Sequence, residues 1–167
     1  MDKTDRENPI LTASEMHAHA ARFTDAYHVA IAPLCAAVQL PAAAVDILLF
    51  LANNPECRTA GDICRCRGLK PGIVSFHIEH LVRRGLVTRG AVPGDRRKSA
   101  LICTPEAQPL IAQGRALQAE FAGQLTQGLD EEDLAHFCRC LTAFSRNIER
   151  IRRGEADKPE NRPEEPK

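Results

Sequence analysis

Apolar residues recur every three or four positions along most of this chain, which is the spacing of one face of an α-helix. Between residues 14 and 39 such a stripe is formed by Met16, Ala20, Phe23, Tyr27, Ile31, Leu34 and Val38. A second helix is predicted after Pro41, and further long stripes follow Pro105 and Asp130. The pattern therefore predicts a mainly α-helical protein that carries long helices in its first and last thirds.

Two shorter helices joined by a tight turn are predicted between these long ones. Thr59 is typical of a helix N-cap and Gly68 of a helix end, which places the first short helix over residues 60–67. The second follows the stretch "LKPG" and ends at about Arg84, before Gly85. Two short helices with a tight turn between them predict a helix-turn-helix.

Strand-like residues follow at 86–92 and 99–103, with "PGDRRK" as the turn between them. A helix-turn-helix followed by a β-hairpin with a basic tip is a winged helix. The predicted fold class is thus mainly α with a small β-hairpin wing: a winged helix-turn-helix flanked by long dimerisation helices.

The same pattern sets the predicted domain boundaries. Residues 1–13 are predicted as an N-terminal extension, 14–40 and 105–153 as dimerisation helices, and 41–104 as the winged helix-turn-helix. Residues 154–167 contain no large apolar side chain and are predicted to be disordered. The long helices offer more apolar surface than the small centre can cover, which predicts a symmetric homodimer.

Charge is unevenly distributed, although the chain as a whole is neutral. Residues 58–98 hold ten Lys/Arg against three Asp/Glu, a local charge of +7 that the remainder balances with −7. Positive charge concentrated in a quarter of the chain indicates a polyanionic partner, and beside a winged helix that partner is double-stranded DNA.

Several classes of protein are not supported by the sequence. No apolar run approaches the ~20 residues that span a bilayer, and the charged start "MDKTDRENPI" is not a signal peptide. Seven cysteines without an export signal indicate reduced thiols, so we expect a cytoplasmic protein with no membrane association. The sequence lacks GxGxxG, P-loop, HExxH and nucleophile-elbow motifs, so neither an enzyme nor a bound cofactor is expected.

Two stretches of the sequence resemble the MarR family of bacterial winged-helix transcription regulators. "GDRRKSALICTPEA" is similar to that family's wing and the start of the next helix, with Asp95 and Arg97 as its Asp-x-Arg pair. "LKPGIVSFHIEHLVRRGLV" is similar to its recognition helix, and the resemblance covers roughly residues 14–150. One departure is Cys103-Thr104-Pro105-Glu106-Ala107, where the family often has Leu-Thr-x-x-Gly.

The resemblance implies a sequence-specific regulator, acting as a repressor, that is released from DNA by a small-molecule effector. In such a protein the effector binds between the dimer helices and the winged domain. Phe23, Tyr27 and Leu48 are candidates for that pocket, although the same residues fit a hydrophobic core equally well. A homodimer would place two recognition helices ~34–36 Å apart and would therefore bind a pseudo-palindromic operator.

Residues suited to contact DNA fall on the predicted recognition helix and on the wing. Phosphate contacts require cations or helix-start amides, and base contacts require outward side chains. Phe76 is the most informative of them, because it could pack on a thymine methyl group or, alternatively, on a neighbouring helix or the wing. The predicted DNA-binding residues are Lys70, Pro71, Gly72, Ser75, Phe76, His77, His80, Arg83, Arg89, Asp95, Arg96, Arg97 and Lys98.

The tripeptide Cys-Arg-Cys occurs twice, at 64–66 and at 138–140. Positions i and i+2 of a helix lie about 200° apart, so one regular helix cannot aim both sulfurs at one ion. Cys64 therefore fits a small buried residue, whereas Cys66, between two arginines, is the candidate reactive thiol. No metal site is predicted.

A second, weaker resemblance concerns the ArsR family of metalloregulators. "SFHIEHLVRRGLV" is similar to its recognition helix, and its arsenic sensors carry a Cys-x-Cys in the preceding helix, where Cys64 and Cys66 stand. The alternative function is therefore a thiol-based repressor that senses metal, arsenic or oxidants.

Overall fold

The computed structural model describes residues 12–91 and 99–155. The predicted N-terminal extension up to residue 11, the wing tip at 92–98 and the predicted disordered tail from residue 156 lie outside the described residues.

The described chain is mainly helical and has one small sheet, so the predicted fold class is confirmed. Two strands, β1 (Val87–Ala91) and β2 (Ser99–Cys103), pair antiparallel with Val87 opposite Cys103 and Ala91 opposite Ser99. A short 3₁₀ turn, Pro105–Ala107, precedes α5. The helices are α1 (Ala13–Val38), α2 (Ala42–Asn53), α3 (Ala60–Arg67), α4 (Pro71–Arg83), α5 (Gln108–Leu125) and α6 (Glu131–Arg152).

The described chain falls into two compact units, divided after Ala122. In the first unit α2 is the central element, because it packs against α1, α4 and β2. All but one of its residues from 44 to 51 are buried, which explains why its sequence is apolar on nearly every side. The winged helix is therefore built around α2, with α3 and β1 packed against α4.

Side-chain caps fix where the helices begin. Thr12 and Glu15 form a capping box at the start of α1, and Thr59 and Asp62 form another at the start of α3. The carboxylate of Asp130 caps α6 by accepting a hydrogen bond from the Asp133 amide at 2.8 Å. The predicted helix starts at Thr59 and Asp130 are confirmed.

Thr104 stands at the N-cap position of the 3₁₀ turn, with Pro105 directly after it. Its side chain makes no cap hydrogen bond. Instead its hydroxyl donates to the Gly85 carbonyl at 2.7 Å, and its amide donates to Leu86 at 3.1 Å. Thr104 therefore ties the end of β2 to the end of the recognition helix.

The second unit contains α6, an amphipathic helix with acids in its first turn and arginines in its last. Five large apolar residues of its stripe are exposed: Phe137, Leu141, Phe144, Ile148 and Ile151.

Among the described residues no single helix is long and apolar enough to cross a membrane, although α1 and α2 meet that criterion as a pair bent by 98°.

Candidate nucleic-acid interface

The turn between α3 and α4 sets the direction of the recognition helix. Gly68 ends α3 with φ 65°, a left-handed conformation that glycine adopts without steric cost. Lys70 is the N-cap residue of α4, and Pro71 occupies its first position, where the missing N–H costs nothing. Lys70 is exposed, so a cation stands at the amide end of this helix, as a phosphate contact requires.

The outward face of α4 carries most of the predicted contact residues. Phe76 is 61% exposed, and Gly72, Ser75 and Arg83 are also exposed. A Cβ atom on Gly72 would meet no atom within 4 Å, so the backbone there is open to a close approach. The face thus offers small, apolar and cationic groups side by side.

Ile73 belongs to the same face and was missed from the sequence. Its side chain is 44% exposed and stands one helical turn before Phe76. Its spacing of three residues from Phe76 could have indicated the shared face. A pattern based on hydrophobicity alone, however, assigns an isoleucine to the core. Together the two side chains form an exposed apolar strip along α4.

His77 was predicted to face DNA, and the structure contradicts that prediction. Its ring is only 8% exposed and lies with Val74, Ile78 and Leu81 on the inner face of α4. The reason is helical spacing, because position 77 falls three residues after Val74 and four before Leu81. Nδ1 of His77 has no hydrogen-bond partner among the described residues, and His80 is half-buried.

Arg89 is held beside the recognition helix. Its guanidinium donates to the carboxylate of Glu79 on the outward side of α4, so the two form an ion pair between β1 and α4. Both side chains remain largely exposed. Arg89 therefore lies at the edge of the predicted interface, partly neutralised by Glu79.

The wing is described only at its base. Leu101 of β2 donates its amide to the Arg58 carbonyl at 2.7 Å, which attaches the hairpin to the segment before α3. Asp95, Arg96, Arg97 and Lys98, which the sequence places at the wing tip, lie outside the described residues.

Comparison with known proteins agrees with this geometry. Residues 38–98, which run from the end of α1 to the wing, match the family model described as MarR family. Over this segment, which is less than half of its length, the chain is similar to the MarR family. The described structure is a winged helix, and the matching family consists of DNA-binding transcription regulators. A search of curated proteins returns no match.

Solved structures of similar proteins share the fold over most of the chain. The transcriptional regulator PA3341 is 25% identical, with a TM-score of 0.69 over 80% of this chain and 98% of that one. MepR of S. aureus, solved with DNA, is 17% identical, with a TM-score of 0.65 over 83% and 97%. BpsR of Bordetella bronchiseptica, solved to explain how 6-hydroxynicotinic acid regulates its DNA binding, is 18% identical, with a TM-score of 0.61 over 78% and 98%.

Within the first unit, Arg67 attaches α3 to α2. Its Nε lies 3.1 Å from Oδ2 of Asp46, and its guanidinium stands 4.8 Å from the centre of the Phe50 ring. Burial raises the pKa of Asp46, while the charge of Arg67 acts in the opposite direction. The arginine therefore stabilises a mostly buried carboxylate and holds the last turn of α3 in place.

Hydrogen bonds extend this contact toward α5. The side chain of Tyr27 on α1 acts on the Asp46 carboxylate and lowers its pKa, and the Tyr27 hydroxyl accepts a hydrogen bond from Gln118 at 2.7 Å. Gln118 accepts from the Asn53 amide at 2.9 Å, and Asn53 in turn accepts from Nε of Arg115 at 2.9 Å. Four helices of the first unit are thus joined by one polar chain, which we call the α3–α5 chain.

The predicted effector residues do not surround a common cavity. Leu48 is fully buried in the core. Phe23 and Tyr27 pack against Phe121, with ring centres 5.6 and 5.7 Å away. None of the four described cavities is lined by any of the three. Leu48 fits the core alternative and Tyr27 packs against the core, whereas Phe23 is 53% exposed.

A cavity of about 210 Å³ lies instead between the end of α2, strand β2 and the start of α5. Two arginines line it, Arg58 and Arg115, together with Gln108 and apolar side chains that include Leu51 and Ile111. Neither arginine forms an ion pair with a carboxylate within the described part of the chain. Arg115 also begins the α3–α5 chain.

The two thiols of the helix-turn-helix differ in solvent exposure, as the sequence predicts. Cys64 is half-buried and packs against the core, whereas Cys66 is exposed. In α6 both Cys138 and Cys140 are exposed. In the described ranges, no group of three or more His, Cys, Asp or Glu residues could hold a metal ion.

Proposed function

We propose that this protein is a cytoplasmic repressor that binds a pseudo-palindromic DNA operator as a homodimer and leaves it when a small molecule binds. The observation that carries the proposal is the outward face of α4, where Ile73 and Phe76 are exposed between Lys70 at the helix start and Arg83 at its end. A regulator needs both cations for phosphates and uncharged groups for base edges on one such face.

Base reading is assigned to Ser75, Phe76 and His80, with Ile73 added from the structure. Exposed apolar side chains suit the methyl group of thymine, and a hydroxyl suits either a base edge or a phosphate. Lys70, the amides after Pro71, Gly72 and Arg83 are assigned to phosphate contacts and Arg89 to the edge of the interface. The wing residues Arg96, Arg97 and Lys98 are assigned to the minor groove, with Asp95 positioning an arginine.

Homodimer formation is assigned to the long helices. The exposed stripe of α6 is too large and too continuous for a water-facing helix surface, because large apolar patches on a protein mark interaction sites. A second copy of the same stripe is its simplest complement, since it gives an isologous, closed interface. The MarR-type structures that are solved with DNA support the DNA-binding role of the fold.

Effector binding is assigned to the cavity lined by Arg58 and Arg115. Two guanidiniums above an apolar floor suit a small organic anion. A ligand that withdraws Arg115 from Asn53 would break the first bond of the α3–α5 chain, whose other end fixes α3. BpsR, with a similar fold, responds to a small organic acid, which supports this class of effector.

The experiment selects binding sites from a random DNA library with reduced protein and then measures affinities by fluorescence anisotropy. The expected sites are inverted repeats whose half-sites are about one helical turn apart. Phe76→Ala should change the preferred bases within each half-site, while Val29→Ala, a truncation of a still more exposed apolar side chain on α1, should not. Failure to enrich any sequence would overturn the proposal, and identical preferences for Phe76→Ala would assign Phe76 a structural role.

A further inference from the structure

The recognition helix carries a single acidic residue, Glu79, on the face that is assigned to DNA. Its side chain is 59% exposed and stands one helical turn after Phe76 and one turn before Arg83. A carboxylate at this place is repelled by the phosphates, so it weakens the part of DNA binding that does not depend on sequence. An exposed ion pair also contributes little to the stability of a fold. A role in base recognition is what explains an acid at this position.

Arg89 holds this carboxylate from the neighbouring strand. Side chains alternate along β1, so Arg89 lies on the same face as the buried Val87, and its partner in the register is the buried Leu101. From that face Nη2 of Arg89 donates to Oε1 of Glu79. The other carboxylate oxygen, Oε2, has no hydrogen-bond partner within residues 12–91 and 99–155. One acceptor of Glu79 is thus fixed by the protein, and the second is available to a ligand.

A carboxylate can only accept hydrogen bonds, which limits the bases that it can recognise. In the major groove the donors are the amino groups of cytosine and adenine, whereas guanine and thymine present acceptors there. Adenine carries the acceptor N7 beside its amino group, and that acceptor repels a carboxylate. Cytosine is therefore the base that suits the free oxygen of Glu79 best.

We propose that Glu79 is a specificity-determining residue that accepts a hydrogen bond from the amino group of a cytosine, and that Arg89 is the residue that positions its carboxylate. This inference rests on the proposed function and names one base of the operator half-site. Three residues of a helix rise about 4.5 Å, close to the ~3.4 Å between base pairs, so Phe76 and Glu79 address neighbouring positions. The half-site is expected to hold this cytosine beside the thymine that Phe76 contacts.

The first experiment repeats the selection of binding sites with the wild type, Glu79→Gln and Glu79→Ala. The wild type should require a cytosine at one position of each half-site. Glu79→Gln should prefer adenine there, because an amide accepts from the adenine amino group and donates to N7. Glu79→Ala should tolerate any base at that position and keep the other preferences. Identical preferences in all three proteins, or wild-type half-sites without a required cytosine, would refute the inference.

The second experiment replaces the required cytosine by 2-pyrimidinone, which is the same base without its amino group, and measures affinity by fluorescence anisotropy. The wild type should lose affinity about tenfold, whereas Glu79→Ala should change by less than about twofold. Glu149→Ala is the matched control, since it removes an exposed carboxylate from an ion pair with Arg152 on α6, and it should behave as the wild type. An equal loss in the wild type and in Glu79→Ala would show that Glu79 does not bind the amino group.

The same two operators test Arg89. Arg89→Ala should reduce the discrimination between cytosine and 2-pyrimidinone from about tenfold to about threefold or less, and Arg89→Lys, which keeps the charge, should retain most of it. A loss of affinity for both operators alike, with the discrimination unchanged, would make Arg89 a phosphate contact and contradict its positioning role. Absence of any selected site for the wild type would overturn the proposed function instead, so the two failures are distinguishable.

Discussion

At the scale of single residues, His77 shows how a polar side chain enters the inner face of a recognition helix. Its ring occupies the space of a core residue between Val74 and Leu81, and Nδ1 is left without a partner among the described atoms. Burial lowers the pKa of His77, and the nearby His80 adds to that effect. The protein therefore keeps this imidazole neutral at a cost in stability.

This burial makes the stability of the fold depend on pH. The unfolded chain protonates His77 near pH ~6.5, whereas the folded chain does so only at lower pH, so the free energy of unfolding falls as the pH drops below about 7. Above pH ~7.5 both states are neutral and the effect disappears. His77→Leu should raise the free energy of unfolding by about 1 kcal/mol and flatten its decline between pH 7.5 and 5.5.

Urea denaturation at the two pH values measures this effect. His17→Leu, at an exposed position of α1, serves as the control and should leave the decline as it is in the wild type. A His77→Leu protein whose stability declines as steeply as that of the wild type would contradict the role given to His77.

At the scale of elements, α5 and α2 approach each other so closely that only glycine fits between them. A Cβ atom on Gly114 of α5 would stand 2.4 Å from Cδ2 of Leu49, a fully buried core residue. Leu49 cannot yield without displacing the rest of the α2 core. The close contact also brings Arg115 within reach of Asn53 and the Ala52 carbonyl.

Gly114→Ala should lower the free energy of unfolding by about 1–3 kcal/mol, because overpacking a filled core displaces side chains. Gly123→Ala is the matched control in the same helix, where the new Cβ atom meets nothing within 4 Å. That substitution should be neutral or stabilising by up to about 1 kcal/mol, as glycine-to-alanine changes in exposed helices are. Chemical denaturation compares the two, and equal stabilities would argue against the tight α2–α5 contact.

The elements were predictable from the sequence because their ends are set by local chemistry. Thr59, Gly68, Pro71 and Asp130 mark helix ends through caps and backbone preferences that need no distant partner. Local chemistry does not predict the partner of a side chain that makes a tertiary contact. Thr104 occupies an N-cap position, but its hydroxyl donates to the Gly85 carbonyl and does not cap the first turn.

The candidate site was less predictable than the fold. Helical spacing placed Phe76 outward, but the burial of His77 required the whole inner stripe to be counted. The α3–α5 chain could not be foreseen, because Arg67 and Gln118 meet their partners only after α1, α2, α3 and α5 have packed. The predicted wing contacts remain predictions.

At the scale of the whole molecule, the α6 stripe predicts the oligomeric state. Phe144→Glu places a carboxylate in the middle of the stripe, where burial of an unpaired charge costs several kcal/mol. The dissociation constant of the dimer should rise about 100-fold or more. Ala135→Glu adds the same charge on the opposite side of α6 and should leave the constant within about threefold.

Sedimentation equilibrium over a range of protein concentrations distinguishes these outcomes. Dimers of equal strength for Phe144→Glu and Ala135→Glu would show that α6 does not form the interface. The DNA affinity of Phe144→Glu should fall as well, since a monomer binds only one half-site.

The central claim is that α4 and the wing bind DNA through phosphate contacts and base contacts together. The most direct test is the salt dependence of the association constant for the selected operator, measured by anisotropy with wild type, Arg97→Ala and the control Arg22→Ala on α1. For the wild type and the control we expect a steep, linear decrease of log K with log salt, with a slope of several units. For Arg97→Ala we expect a slope smaller by about one unit, with affinity reduced for all sequences alike. A wild-type slope near zero, or a slope that Arg97→Ala leaves unchanged, would contradict the account.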